Sequence, residues 1–382
     1  MKAIPTLESM IADVVALPSI SSGHPQLDMG NRAVAECLAN WLSNLGFSCE
    51  IQSLDLGPDK VNLIATLGQG EGGLVLAGHL DTVPFDEGAW HSDPFTLQKT
   101  DKALVGLGTS DMKSFLCFAT EAAAQFANKT LREPLIILGT ADEECGMDGA
   151  KALVAAGKPR ARHAVIGEPT GLKPVISHKG ILMERIEVRG QSGHSSNPAL
   201  GRNAIEGMHR VLSTLLRYRD ELAQGPYNPA FNVQHSTLNT GCIHGGDNAN
   251  RIPALCQLDV DLRFLPGMRF AELRNELQSR VREALHGSEL EVEFESLFEG
   301  INPFQTDSSA DIVKAAEKLT GQPASAVDFA TEGSLLNSLG MQTIVLGPGD
   351  IDQAHQPNES LALERIEPTR KLLTQLIAQY CL

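Results

Sequence analysis

Apolar positions along this chain follow two different periods, and the change from one texture to another divides it. Leu7, Met10, Ile11, Val14 and Val15 recur every three to four residues, which predicts an amphipathic helix. A second helix is predicted over 31–45, with Gly46 placed to end it. Short apolar runs then alternate with helical patterns: strands over 62–67, 74–77, 135–139 and 164–167, and helices over 114–127 and 149–156. This rhythm predicts an α/β fold, a mainly parallel sheet with helices on both faces. From about Lys179 the texture changes. Ile181, Met183, Ile186 and Val188 partly alternate with polar residues, and a helix over 203–222, strands over 236–243 and 254–264, a helix over 270–285 and a strand over 290–295 follow. That order reads as a smaller α+β insert. The helix–strand pattern returns over 307–319 and 343–346. The expected organisation is a main domain in two parts, 1–178 and 297–382, interrupted by a smaller one over 179–296.

A length of 382 residues fits two domains better than one. Forty-seven acidic against 31 basic residues leave a formal charge of −16. That balance argues against nucleic acid or an anionic membrane as the main partner, since both reward clustered Lys and Arg. Clustered acids hold cations instead. Seven cysteines, odd in number and without a CxxC pair, point to a reducing, cytoplasmic setting. The first residues show no signal-peptide core. No run approaches the roughly 20 apolar residues needed to cross a bilayer.

The chemistry starts at Gly78-His79-Leu80-Asp81-Thr82-Val83-Pro84, just after the apolar run 74–77. In open α/β sheets ligands bind at the C-terminal ends of strands. His79 and Asp81 are two apart, so in extended chain both side chains face one way, and the carboxylate can take the imidazole's second N–H and fix its tautomer. A loop histidine beside a capping aspartate reads equally well from this stretch alone. Other candidates share the placement. Asp111 lies in a glycine-rich turn leading into a helix, Glu143 and Glu144 follow 135–141, Glu168 follows 165–167, and His355 closes a glycine-rich loop after 344–346. Singly, each has an ordinary reading: a helix cap, a solvated pair, a turn residue before Pro169, a loop histidine. Together they form one set of imidazole and carboxylate donors at the ends of successive strands, suited to zinc, cobalt or manganese. Adjacent Glu143 and Glu144 diverge, which suggests one metal ligand and one free carboxylate serving as base.

These residues resemble the dinuclear metallo-aminoacylases of the M20 peptidase family, over essentially the whole chain. The resemblance implies that His79, Asp111 and Glu168 hold one divalent ion and Asp111, Glu144 and His355 a second, zinc or cobalt, with Asp111 bridging. It also implies Glu143 as general base and Asp81 as the residue that orients His79. The insert becomes a lid and dimerisation domain, with a homodimer expected. In its segment Gly190-Gln191-Ser192-Gly193-His194-Ser195-Ser196, His194 is expected to stabilise a tetrahedral oxyanion, usually across the dimer. Lys179, Asn250 and Arg263 fall where relatives bind a substrate carboxylate, although desuccinylases carry arginine at the first position. Asp93-Pro94-Phe95-Thr96-Leu97, Gly167-Glu168-Pro169-Thr170, His244-Gly245-Gly246-Asp247, Gly347-Pro348-Gly349 and Thr331-Glu332 resemble the branch acting on N²-acetyl-L-ornithine. Glu332 is then expected to attract the substrate's ammonium. The alternatives are N-succinyl-diaminopimelate, another N-acyl amino acid or a dipeptide, and, from another class, a metal-free binding protein on the same scaffold.

Overall fold

The most apolar runs of the sequence become the middle of one sheet. In the computed structural model, which describes residues 4–57 and 59–382, strands Leu135–Thr140, Leu74–His79, His163–Ile166 and Gln342–Val345 lie side by side and parallel. Every residue of the first three is buried, as expected where helices cover both faces. Their C-terminal ends share one edge, so the residues after His79, Thr140, Ile166 and Val345 all emerge there.

The flanks of the sheet are antiparallel. Val61–Leu67 pairs with Leu135–Thr140 in that sense and with Ser48–Ser53 beyond it, and Val345 meets Val175 antiparallel on the far side. Hydrophobic runs mark a strand as buried but carry no direction. Direction follows from the connection: Ser53 and Val61 are joined by a short loop, which permits only an antiparallel return.

Helices clad this sheet. Thr6 caps Leu7–Val15 by accepting the amide of Ser9, and Leu7, Met10, Ile11, Val14 and Val15 are buried. Arg32–Asn44 buries Val34, Leu38, Trp41 and Leu42. It stops before Gly46, whose φ of +92° favours a residue without a side chain. Lys113–Ala124 is enclosed almost all round. It packs with Ile366–Cys381, whose Leu372, Leu373, Leu376 and Ile377 belong to the same core. That last helix was not among the sequence expectations, although its apolar spacing is helical.

The chain divides into two units, the first made of residues up to Ile176 with Thr306–Ser325 and Thr331–Leu382, the second of Ser177–Gln305 with Ala326–Ala330. In the second, Thr237–Gly245, Leu255–Phe264, Gly180–Arg189 and Glu291–Ile301 form an antiparallel sheet in that order. Leu255–Phe264 alternates buried and part-exposed residues nearly without a break. Its buried face packs with Met208, Val211 and Leu215 of helix Ala204–Gln224 and Leu273, Leu277 and Val281 of helix Phe270–Ala284. Asn203 opens the longer helix by accepting the amides of Ile205 and Glu206.

One close approach fixes the edge of the first unit's sheet. A Cβ on Gly167 would stand 1.9 Å from Cγ of Phe115, a ring locked at 0% exposure. Gly167→Ala is expected to destabilise the protein by about 1–3 kcal/mol through overpacking, read as a lowered denaturant midpoint at unchanged slope.

Candidate metal centre

His79 ends its strand at 1% exposure. Its Nδ1 lies 2.9 Å from the main-chain oxygen of Asp81. A carbonyl only accepts, so Nδ1 carries the proton and Nε2 is turned to the site, 3.0 Å from Oδ1 of Asp111. The carboxylate expected to fix this tautomer is not the group that does so. Asp81 Oδ1 is 3.8 Å from Nδ1, while the two carboxylate oxygens accept the amides of Glu143 and Glu144 at 3.3 and 3.2 Å. The reason is local: the strand stops at His79, so the alternation that would have aligned both side chains does not continue.

Asp111 sits just before helix Lys113–Ala124, at whose N-cap stands Met112, without a side-chain cap. Its carboxylate faces His79, and its Oδ2 is 3.6 Å from Nε2 of His355. Glu144 Oε2 lies 3.0 Å from the same His355 nitrogen, and its buried Oε1 has no hydrogen-bond partner among the described residues. Donor atoms of His79, Asp111 and Glu144 lie within 4.8 Å of one another, as do those of His79, Glu143 and Glu168. All these residues belong to the first unit.

Lys60, which the sequence did not single out, braces the Glu143–Glu144 loop. It is 4% exposed and pairs with Asp142 and Asp28. Asp142 has a φ of +62°, and its carbonyl accepts from the amides of Cys145, Gly146 and Met147. A lone lysine before a strand gives no sequence signal of this. Glu332, 1% exposed, accepts from the Thr140 hydroxyl at 2.9 Å through Oε2, and its Oε1 is unpartnered among the described residues.

The electrostatics reflect crowded acids in a dry place. Burial, reinforced by neighbouring carboxylates, holds Glu143 and Glu168 well above their ordinary range. Burial pushes Glu332 up to about 7. Burial also opposes charge on His79, but the Asp111 hydrogen bond and the charges of Glu168, Asp111 and Asp81 outweigh it, leaving His79 well above its usual value. His355 rises to about 8, chiefly through its hydrogen bond with Glu144. Nitrogen and carboxylate donors, an orphaned Glu144 oxygen and mutually repelling acids are the features of a site that a divalent cation fits.

The other candidates lie in the second unit. His194 pairs across a short ladder with Arg251. Its Nδ1 accepts the amide of Ser196 at 3.2 Å, so a neutral ring carries its proton on Nε2, free to donate. The carbonyl of Asn250 accepts from the amide of Ser195. Arg263 is bound to Asp261 through Nε and Nη2 at 2.8 and 2.9 Å. Lys179, 1% exposed, contacts Asp328 at 3.1 Å and the carbonyl of His235 at 3.0 Å.

The raised groups set a pH dependence with a definite sign. Stability from the protonated His355 contact is present below about 6.5 and lost as pH rises through about 8. The burial penalty on ionised Glu332 is absent below 4.5 and complete above about 7. Two other buried groups act in the opposite sense outside this range: His163, pulled to about 4 by burial, and Lys113, pulled to about 8. Thermal midpoints of the metal-stripped protein are therefore expected to fall from pH 6.5 to 7.5. Saturating zinc or cobalt is expected to flatten that slope, because the cation replaces the protons; a rising midpoint in chelator would contradict the assignment.

Known proteins resemble this chain over nearly its whole length. The family model described as peptidase family M20/M25/M40 matches residues 75–379. The chain is 46% identical over 381 residues to an acetylornithine deacetylase of Pasteurella multocida (strain Pm70), covering 100% of both chains. To an acetylornithine deacetylase of Edwardsiella ictaluri (strain 93-146) it is 46% identical over 378 residues, covering 99% of this chain and 98% of the other. Among solved structures, an M20 family metallo-carboxypeptidase from Sulfolobus solfataricus matches with a TM-score of 0.75 at 18% identity, over 98% of this chain and 99% of that one. A family model that matches residues 75–379, with full-length relatives at 46% identity, means that the chain belongs to peptidase family M20/M25/M40.

Proposed function

We propose that the protein is a metal-dependent amide hydrolase that removes the acetyl group from N²-acetyl-L-ornithine, giving L-ornithine for arginine biosynthesis and acetate. The reaction class is carried by one observation: two imidazoles, three candidate carboxylate ligands and a further carboxylate, Glu143, gather at one sheet edge. The substrate is carried by the full-length likeness to acetylornithine deacetylases. In this reading His79, Asp111 and Glu168 hold one divalent ion and Asp111, Glu144 and His355 the other, zinc or cobalt. Ions so placed polarise the acyl carbonyl and lower the pKa of the attacking water from about 15.7 toward about 7.

The chain's own residues do the rest. Glu143 takes the water's proton and returns it to the departing amine. Burial and neighbouring carboxylates raise this carboxyl above its ordinary value, which favours its holding the proton between the two transfers. The carbonyl of Asp81 holds His79 with Nε2 toward the site, and its carboxylate holds the Glu143–Glu144 loop. His194, with Nε2–H exposed, is assigned to the developing oxyanion. Glu332, with one oxygen unpartnered, is assigned to the ammonium of the ornithine side chain. Asn250 remains a candidate for the substrate carboxylate. Lys179 and Arg263 already hold Asp328 and Asp261, which supports a structural part for both. The same reading expects a cytoplasmic homodimer joined through the second unit. Seven free cysteines suit that setting, and no helix among the described residues is long and apolar enough to cross a membrane.

The test is the initial rate on N²-acetyl-L-ornithine of metal-stripped protein reloaded with zinc or cobalt, with N-succinyl-diaminopimelate alongside. Metal-dependent release of ornithine is expected; activity on the succinyl compound alone would move the substrate and keep the chemistry. Glu143→Ala is expected to lower kcat by about 10² to 10⁴ at unchanged metal content, and full activity in that variant would remove Glu143 from its role. Glu332→Gln is expected to raise KM for acetylornithine but not for an N-acetyl amino acid with an uncharged side chain. An equal change for both substrates would sink the ammonium assignment.

A further inference from the structure

Four residues beyond His355 lies a buried carboxylate that the proposed reaction does not use. Glu359 is 1% exposed. Its Oε2 accepts the amide of Gly108 at 3.0 Å, and its Oε1 accepts those of Ser110 at 2.7 Å and Asp111 at 2.9 Å. Its own carbonyl accepts from the amide of Gly106 at 3.0 Å. Directly after it, Ser360–Ala362 pairs antiparallel with Ala103–Val105. A second tie runs through Ser110, whose hydroxyl donates to the carbonyl of Asp350 at 3.2 Å and accepts its amide at 3.0 Å. The turn that presents Asp111 is thus hung from the segment that presents His355.

We propose that Glu359 is a positioning residue for the metal centre. It holds the main chain of the Asp111 turn so that the shared carboxylate stands in place, at a fixed spacing from His355, before a cation arrives. The inference rests on the reading of Asp111 and His355 as metal ligands and adds what orients them. The hydrogen-bond count requires a carboxylate. Three N–H groups meet two oxygens, and a glutamine offers only one acceptor atom, with an NH₂ group turned at amides that also donate. Aspartate, shorter by one methylene, cannot span the same three donors from the same main-chain position. A group that fixes a ligand's orientation shows itself in metal affinity, where loss of such a partner typically weakens binding about 10- to 100-fold. A tie that serves only the fold shows itself in stability alone.

The experiment is calorimetric titration of Co²⁺ into metal-stripped full-length protein at 25 °C, with the visible spectrum of bound Co²⁺ recorded in parallel. Wild type, Glu359→Gln and Asp111→Ala are compared. Glu359→Gln is expected to bind Co²⁺ about 10- to 100-fold more weakly, with a changed spectrum, and to regain amide hydrolysis as metal is raised over the shifted range. Wild-type affinity and spectrum in Glu359→Gln, whatever its melting temperature, would overturn the inference. A wild-type protein that binds no metal, or an Asp111→Ala variant that binds as well as wild type, would overturn the ligand reading and the inference with it. If Glu359→Gln does not fold, amide hydrogen exchange on metal-free wild type decides. Protection at Gly108, Ser110 and Asp111 supports a turn fixed in advance, and exchange there at unprotected rates refutes it.

Discussion

The constraint on which this molecule turns is the repulsion among acids that share one buried edge of a sheet. Asp111, Glu144, Glu168 and Glu143 converge with buried His79, and His355 closes the site from its exposed side. Ionised carboxylates in such a place are costly unless paired or protonated. Without a cation the protein meets that cost with protons, which is why Glu143 and Glu168 are held far above their ordinary values while Asp111, facing two imidazoles, is held below its own. In the proposed reading a divalent ion would remove the conflict and leave one carboxyl, Glu143, free to move a proton. Metal binding and readiness for acid–base chemistry would then be two results of one electrostatic strain, borne by a sheet whose central strands are wholly buried.

Holding that strain in a defined shape falls to main-chain contacts. Asp81 grips two amides of the Glu143–Glu144 loop, and Asn62 accepts the amide of Ala141 at 3.0 Å. The Asp111 turn and the His355 loop are joined in the same way. Bonds to amides fix the path of a loop, and the path fixes where its side chains point. That is a stiffer arrangement than side chains propping one another, since each prop would bring its own rotamers.

How much of this the sequence shows follows from what leaves a trace in it. Apolar runs ending in His79, Glu143–Glu144, Glu168 and the approach to His355 are visible because burial dictates residue type. The alternation in Leu255–Phe264 is visible for the same reason. The antiparallel flanks are hidden because buried strands look alike whichever way they run. The part of Asp81 is misread for a different reason: spacing by two predicts a shared face only while the strand continues, and it stops at His79. Glu359 is nearly invisible, because a side chain that bonds to peptide groups places no demand on the identity of its partners; Lys60 is hidden because its carboxylate partners, Asp28 and Asp142, lie far from it along the chain. Helix Ile366–Cys381 is legible too, since its apolar residues recur at helical spacing.

The substrate question turns on which charges are already spent. A succinylated diaminopimelate would bring extra carboxylates and call for free cations. In the second unit Arg263 is bound in a two-pronged pair to Asp261, and Lys179 is enclosed against Asp328 and a carbonyl. Fork-shaped guanidinium recognition of a new carboxylate would first break an existing one, and a lysine offers no fork at all. In the first unit the imbalance has the other sign, because Glu332 uses one oxygen on the Thr140 hydroxyl and has no hydrogen-bond partner for the second. In the proposed reading a substrate ammonium would pair with Glu332, and burial, which raises Glu332 to about 7, would strengthen that charge pair. Committed cations and a buried carboxyl with one unpartnered oxygen together favour an N-acyl amino acid with a basic side chain, on grounds independent of the likeness to acetylornithine deacetylases.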